Sequence, residues 1–189
     1  MANRDSFRGY GPELGYEFLR EAIAENDFTA RGVKVSADEI FISDGAKCDT
    51  ANILDILGHQ NRMAITDPVY PVYLDTNVMA GHTGNANSAG QYEGIVYLPC
   101  TAENNFVPAF PTEKADIIYL CYPNNPTGAV YPRSTVETIL EECAYRGIQV
   151  YADEGYDHLI FDDDDFASVL NCSVDLDNIM CISSFSKTY

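Results

Sequence analysis

Residues 134–156 read STVETILEECAYRGIQVYADEGY, and the fold is decided in this stretch. Val136, Ile139, Leu140 and Cys143 recur at the three-and-four spacing of one helical face. Ser134 and Glu137 stand in capping-box spacing and Gly147 follows as a stop, so the pattern predicts a helix over 134–146. After it, "IQVYA" is a short continuous apolar run with the polar "DEGY" directly behind it. A run that does not alternate is what a strand covered on both faces requires.

The same order recurs along the chain. "EIFIS" (39–43) leads to "DGAK" and the helix-like "CDTANILDILG"; "RMAIT" (62–66) leads to "DPVYPVY". "DIIYLCY" (116–122) leads to "PNNPTG", and "NIMCIS" (178–183) leads to "SFSKTY". Buried strands alternating with helices predict an α/β fold, a mostly parallel sheet with helices on both faces. Nearer the start, "PELGYEFLREAIAEN" places Leu14, Phe18, Leu19, Ala22 and Ile23 on one helical face. In open parallel sheets ligands bind beyond the carboxyl ends of the strands. Asp44 to Lys47, Tyr70, Asn124 with Asn125, Asp153 with Tyr156, and Ser184 with Lys187 all follow an expected strand, so the topology would gather them at one edge.

Composition narrows the partners. The 29 acidic and 11 basic residues give a net charge of −18, which a phosphate backbone or an anionic membrane would repel, so neither nucleic acid nor membrane is an expected partner. No apolar stretch is long enough to span a bilayer, and the expected setting is cytoplasmic. The six cysteines show no CxxC spacing and sit mostly in apolar runs, which predicts buried free thiols. His59, His82 and His158 are far apart and lack metal-ligand spacing, and the acidic run 162–165 lacks the glycine and spaced ligands of a calcium loop. No metal is expected, and the run reads as a solvated loop.

Four lysines allow elimination. Lys34 and Lys114 lie in polar loops, and Lys47 opens a helix, where exposed backbone N–H groups favour an anion. Lys187 alone follows an apolar strand and a run of hydroxyls, the setting in which an amine can become a nucleophile toward a carbonyl.

"YPNNPTG" (122–128), "ADEGYDHLIF" (152–161) and "SSFSKTY" (183–189) in this order resemble the motifs of the fold-type I pyridoxal-phosphate aminotransferases. The separations, 28 residues from Asn125 to Asp153 (153 − 125) and 34 from Asp153 to Lys187 (187 − 153), resemble that family's spacing. The resemblance implies pyridoxal 5'-phosphate held as a Schiff base by Lys187, which also shuttles the proton. Asp153 would sit under the ring nitrogen, and Asn125 and Tyr156 would hydrogen-bond the phenolic oxygen. Tyr70 would stack on the ring. Gly45, Ala46, Lys47 and Ser184 would hold the phosphate.

Within that family, "FRGYGPELGYEFLREAIAENDF" (7–28), "EIFISDGAKCD" (39–49) and "DPVYPVYLDTNVMAG" (67–81) are similar to the LL-diaminopimelate aminotransferases. This likeness implies transfer of nitrogen from LL-2,6-diaminopimelate to 2-oxoglutarate, in a homodimer whose sites are shared between subunits. Tyr10 and Glu13 would meet the substrate's distal end, and Asn125 would also touch substrate. The runner-up is an aspartate- or aromatic-type aminotransferase. A lyase or decarboxylase on the same scaffold, or a non-catalytic binding module, are the readings from other classes. The resemblance further implies a helical arm over 1–30, an incomplete cofactor-binding domain over 31–189, and a chain truncated at both ends. Such a chain would lack the phosphate-clamping arginine, the C-terminal small domain and its carboxylate-binding arginine. The isolated piece is expected to be inactive.

Overall fold

A computed structural model describes residues 9–161, 166–174 and 177–187. The acidic run 162–165 lies outside the described residues. Two compact units are present, Met1–Asp44 and Gly45–Tyr189.

In the N-terminal unit, the first helix, α1, is short, Glu17–Ile23, and passes into a wider turn over Ala24–Phe28. The expected apolar face is only partly realised. Leu14 lies before the helix, while Phe18 and Ala22 are exposed. The reason is Gly15, whose φ of +93° breaks the helical path, and where a Cβ would meet Ile42 Cβ at 2.5 Å. The buried residue of α1 is instead Arg20, whose guanidinium donates to the carbonyls of Gly15 and Ala37 and reaches Asp38 Oδ1 at 3.3 Å. "EIFIS" forms no strand. Ile42 N–H donates to Leu14 O across this short approach, and Phe41 is exposed.

In the larger unit, α2 (Ala46–Leu57), β1 (Met63–Asp67), α3 (Val72–Met79), β2 (Ile95–Pro99), β3 (Ile117–Cys121), α4 (Arg133–Arg146), β4 (Gln149–Asp153) and β5 (Ile179–Ile182) follow in chain order. The strands form one sheet in the order β2-β1-β3-β4-β5, parallel throughout. The expected α/β architecture is therefore present. The period of two divides the side chains cleanly between faces. Ala64, Val96, Ile118, Leu120, Val150 and Ala152 pack beneath α4; Met63, Ile65, Ile117, Tyr119 and Tyr151 pack with Leu54 of α2 and Tyr73 of α3. All four expected apolar positions of α4 are buried, and Gly147 ends it at φ +68°.

The expected capping box at Ser134 does not form. Extended Pro132 caps the helix, so Arg133 begins it and Ser134 falls inside the first turn. Glu137 instead stands 3.8 Å from Arg133 and accepts a bond from Ser173 N–H. The strand before Lys187 is also less enclosed than expected. As the edge of the described sheet, β5 is half-buried along its length. Described cysteines are free thiols; Cys100, Cys121, Cys143 and Cys172 are buried, while Cys48 and Cys181 are half-buried. Among the described residues, no helix is long and apolar enough to cross a membrane.

Glu154, directly after β4, faces the α4 side. Its carboxyl oxygens take Ser168 Oγ at 2.8 Å and Val169 N–H at 2.7 Å, and the Cys181 thiol lies against it. Burial pushes its pKa from the ordinary 4.5 up to about 7, against the lowering effect of those bonds. The native state thus keeps a proton that the unfolded chain loses near 4.5. Stability is expected to fall as pH rises from about 4.5 to 7 and to level off above, by at most about 3 kcal/mol. Glu154→Gln, which can still accept from Val169 N–H, should flatten that slope in thermal melts taken across the window; an unchanged slope would refute the assignment.

Packing at the other edge is tight as well. A Cβ at Gly94 would lie 2.7 Å from His82 O and 3.0 Å from Thr83 backbone atoms. Backbone cannot yield as a side-chain tip can, so Gly94→Ala is expected to cost about 1–3 kcal/mol in denaturant unfolding.

Candidate functional site

The sheet order puts a switch point between β1 and β3. The chain leaves β1 through α3 on one face and returns to β4 through α4 on the other. The loops beyond these strand ends form the crevice that this topology offers to a ligand. Asn124 holds the two loops together, its Nδ2 donating to Pro68 O at 3.2 Å and to Thr127 Oγ1 at 2.9 Å. An open cleft of about 380 Å³ lies beyond β3 and β4, lined by Asn125, Val130, Tyr156, Leu159 and Ile160 among others.

Register sets the order of groups along this edge. Cys121 pairs with Asp153, and Asp153 with Ile182, so the loops after β3, β4 and β5 begin side by side. Asn125 Nδ2 donates to Tyr156 Oη at 3.0 Å. The tyrosine oxygen is the acceptor there, which leaves its own O–H to donate elsewhere. Lys187 ends a single 3₁₀ turn, Phe185–Lys187, with its exposed Nζ 5.5 Å from the centre of the Tyr156 ring. Three residues remote in sequence thus meet within one cluster.

Asp153 ends β4 on the opposite face from Glu154 and is buried. Its Oδ2 accepts from Tyr73 Oη at 2.7 Å and its Oδ1 from Gly155 N–H at 3.0 Å. Burial first, then the Asp153 charge and the neighbouring Cys121 thiol, push Tyr73 far above the ordinary phenol range, so it remains a donor. Burial also raises the Cys121 thiol to about 11, aided by Asp153.

The other end of the crevice is the start of α2. Gly45 caps it at φ +137°, with open space where a Cβ would stand. The backbone N–H groups of Ala46 and Lys47 precede the first intrahelical bond, the usual setting for an anion. Thr50, one turn on, donates to Ala46 O at 2.8 Å and accepts from Tyr151 Oη at 3.3 Å, tying this helix start to β4. Ser184 Oγ is 3.0 Å from Ser186 Oγ and accepts from Ser186 N–H. A Cβ on Gly155 would lie 4.0 Å from Ser184 Cβ, so this serine stands beside the turn that follows Asp153.

The structure therefore bonds Asn125 to Tyr156, sets Lys187 beside the Tyr156 ring, and places Asp153, Ser184 and the α2 start on the same larger unit. Tyr70, half-buried before α3, meets Tyr73 edge-on, ring centres 5.8 Å apart. Tyr10 and Glu13 are exposed residues of the N-terminal unit. Sequence reasoning passed over Tyr73, although "YPVY" sets it one turn beyond Tyr70. It also left Glu154 unassigned, because adjacent carboxylates do not announce which face each will take. Two histidines expected to be unrelated do meet: His59 Nδ1 and His82 Nε2 are 2.8 Å apart. Among the described residues no group of three or more potential ligands could hold a metal ion.

As a donor set, the site offers a carboxylate for a protonated ring nitrogen and neutral donors for an oxyanion. A primary amine is available for a carbonyl, and a helix start with hydroxyls for a phosphate. Comparison with known proteins points the same way. The family model for aminotransferase class I and II matches residues 1–189. Among solved structures, the L,L-diaminopimelate aminotransferase from Chlamydomonas reinhardtii is 38% identical with a TM-score of 0.88, over 98% of this chain and 45% of that one. An aromatic aminotransferase from Pyrococcus horikoshii is 27% identical (TM-score 0.81; 96% of this chain, 48% of that one). An aspartate aminotransferase from Thermotoga maritima is 26% identical (TM-score 0.81; 98% and 48%). The chain spans a little under half the length of each. With a whole-length family match and this fold, the chain belongs to the class I and II aminotransferases.

Proposed function

We propose that this chain supplies the pyridoxal-phosphate core of an aminotransferase that moves an amino group from LL-2,6-diaminopimelate to 2-oxoglutarate. The observation that carries the reading is the meeting of Asn125, Tyr156 and Lys187, from the loops after β3, β4 and β5, beyond a β4 that ends in Asp153 with both carboxylate oxygens hydrogen-bonded. The donor groups fit the cofactor. Asp153 retains a lone-pair site on each oxygen for a ring N–H, Asn125 and Tyr156 keep protons for the phenolic oxygen, and the open Gly45 position leaves room for a phosphate at the α2 start.

When bound, the cofactor would supply an electron sink for the charge that develops at the substrate Cα. The chain's own residues do the rest. Asp153 holds the proton on the ring nitrogen, which keeps that sink electron-poor. Asn125 and Tyr156 would donate to the cofactor's phenolic oxygen and help orient it. Lys187 Nζ, on a short turn with an exposed amine, holds the cofactor between turnovers and carries the Cα proton away and back. Tyr70 would pack against the ring, and Ser184 with Gly45, Ala46 and Lys47 would hold the phosphate.

The same reading takes residues 1–30 as an arm and 31–189 as the cofactor-binding region of a homodimer, with Tyr10 and Glu13 serving the substrate's distal end. A carboxylate such as Glu13 suits a distal ammonium, which a diamino diacid carries and aspartate does not. The donor assignment is supported by the 38% identity to the Chlamydomonas enzyme. An aspartate- or aromatic-type donor is the second reading, supported by the likeness to those enzymes at 26–27% identity.

Incubating the native protein with pyridoxal phosphate, reducing with borohydride and mapping the labelled peptide is expected to place the label on Lys187. A label on Lys47 or any other lysine would overturn the site. Lys187→Ala should lower the single-turnover rate by about 10²–10⁴-fold or more. LL-diaminopimelate is expected to outpace aspartate and phenylalanine as donor to 2-oxoglutarate, and release of ammonia or carbon dioxide instead of glutamate would replace transamination with another reaction.

A further inference from the structure

We propose that Tyr73 is a positioning residue for the reaction, fixing the aim of the Asp153 carboxylate through its buried hydroxyl; the inference rests on the aminotransferase reading of the site. The geometry that carries it is specific. A carboxylate on a short side chain can rotate about its last bond, and only groups on both oxygens stop it. Gly155 N–H fills one oxygen from the turn that follows β4, a bond any residue there except proline could make. Tyr73 Oη fills the other from α3, across 80 residues of sequence, at the 2.7 Å of a charge-assisted bond.

The tyrosine is itself immobile. It has no exposed surface, and its ring stacks on Tyr119 with centres 5.1 Å apart and planes at 21°. Tyr119 in turn meets Tyr151 edge-on at 5.1 Å. Buried Asn77 donates to the Tyr73 carbonyl at 2.7 Å and reaches the Tyr119 hydroxyl at 3.4 Å, closing the first turn of α3 onto the stack. The far end of the stack is Tyr151, whose hydroxyl bonds Thr50 one turn inside α2. One aromatic wall therefore runs from the carboxylate that would meet the ring nitrogen to the helix start that would meet the phosphate. Tyr73 is the member of that wall whose polar atom touches the chemistry's anchor.

The test is spectroscopic and uses the native protein with pyridoxal phosphate. A protonated ring nitrogen repels a second proton on the lysine-bound group, so the visible absorbance of the bound cofactor titrates at a depressed pH. Tyr73→Phe keeps the ring and removes the O–H. It is expected to move that titration midpoint to higher pH, weaken cofactor binding several-fold, and lower kcat about tenfold with the acceptor's KM within twofold. Tyr119→Phe, which trims the same wall away from Asp153, should leave the midpoint in place.

In an Asp153→Asn background, Tyr73→Phe should change the midpoint and the binding constant less than twofold, because a residue acting through Asp153 has nothing left to aim. An unmoved midpoint in Tyr73→Phe, an equal shift in Tyr119→Phe, or a full effect persisting in the Asp153→Asn background would each overturn the proposal. If Tyr73→Phe melts below the assay temperature, 3-fluorotyrosine at position 73 changes the donor strength of the O–H without emptying the core. It must then displace the midpoint when Asp153 is present and fail to do so in Asp153→Asn. A wild-type protein that never develops the lysine-bound absorbance would instead reject the aminotransferase reading itself.

Discussion

A parallel strand turns alternate side chains to opposite faces, and the end of β4 carries that alternation over two consecutive carboxylates, Asp153 in the strand and Glu154 directly after it. Asp153 falls on the side of the tyrosine stack and the crevice, and Glu154 falls on the side of α4 and the Ser168 turn. Nearly everything else at this edge follows from the separation. Two carboxylates on one buried face would repel one another. Set back to back, one is held by hydrogen bonds beside the site while the other takes up a proton and ties β4 to the segment leading to β5. The strand end is thereby fixed from both sides.

On the proposed reading, an acidic chain must also offer a place to a phosphate. With a net charge of −18 the surface as a whole disfavours phosphates. The crevice would meet the problem locally, with backbone N–H groups at the α2 start and the Ser184 hydroxyl, and it keeps its carboxylate at the opposite end of an aromatic wall. Short-range dipoles outweigh a distant and solvent-screened net charge. The total charge of a chain is thus a guide to its broad surfaces and a poor guide to a site a few ångströms across.

Strand ends and their polar residues were legible in the sequence because buried parallel strands are continuous apolar runs, and the polar residue that stops each run is also the one beyond the sheet. The stripe of α4 was legible for the same reason. What sequence could not resolve was choice between equals. "YPVY" holds two tyrosines a turn apart, and only packing shows that Tyr73 reaches Asp153 while Tyr70 meets the Tyr73 ring edge-on. "DEG" holds two carboxylates, and only strand phase separates them. Ser134 had the right spacing for a cap, yet Pro132 set the helix start one residue earlier. "EIFIS" had a strand's composition, but Gly15 brings Leu14 against Ile42 and the segment finds a single loop partner rather than a ladder.

The contact between His59 and His82 lies at the other end of the sheet. His59 follows α2 and precedes β1. His82 adjoins Thr83, whose carbonyl accepts from Gly94 N–H just before β2. One imidazole must donate and the other accept, so the pair can carry at most one extra proton while the bond survives. Burial and the neighbouring His59 lower the pKa of His82, in keeping with that limit. The edge remote from the crevice is therefore fastened by a clasp of two side chains, which ties the connection into β1 to the connection into β2 at the strand ends away from the ligand loops.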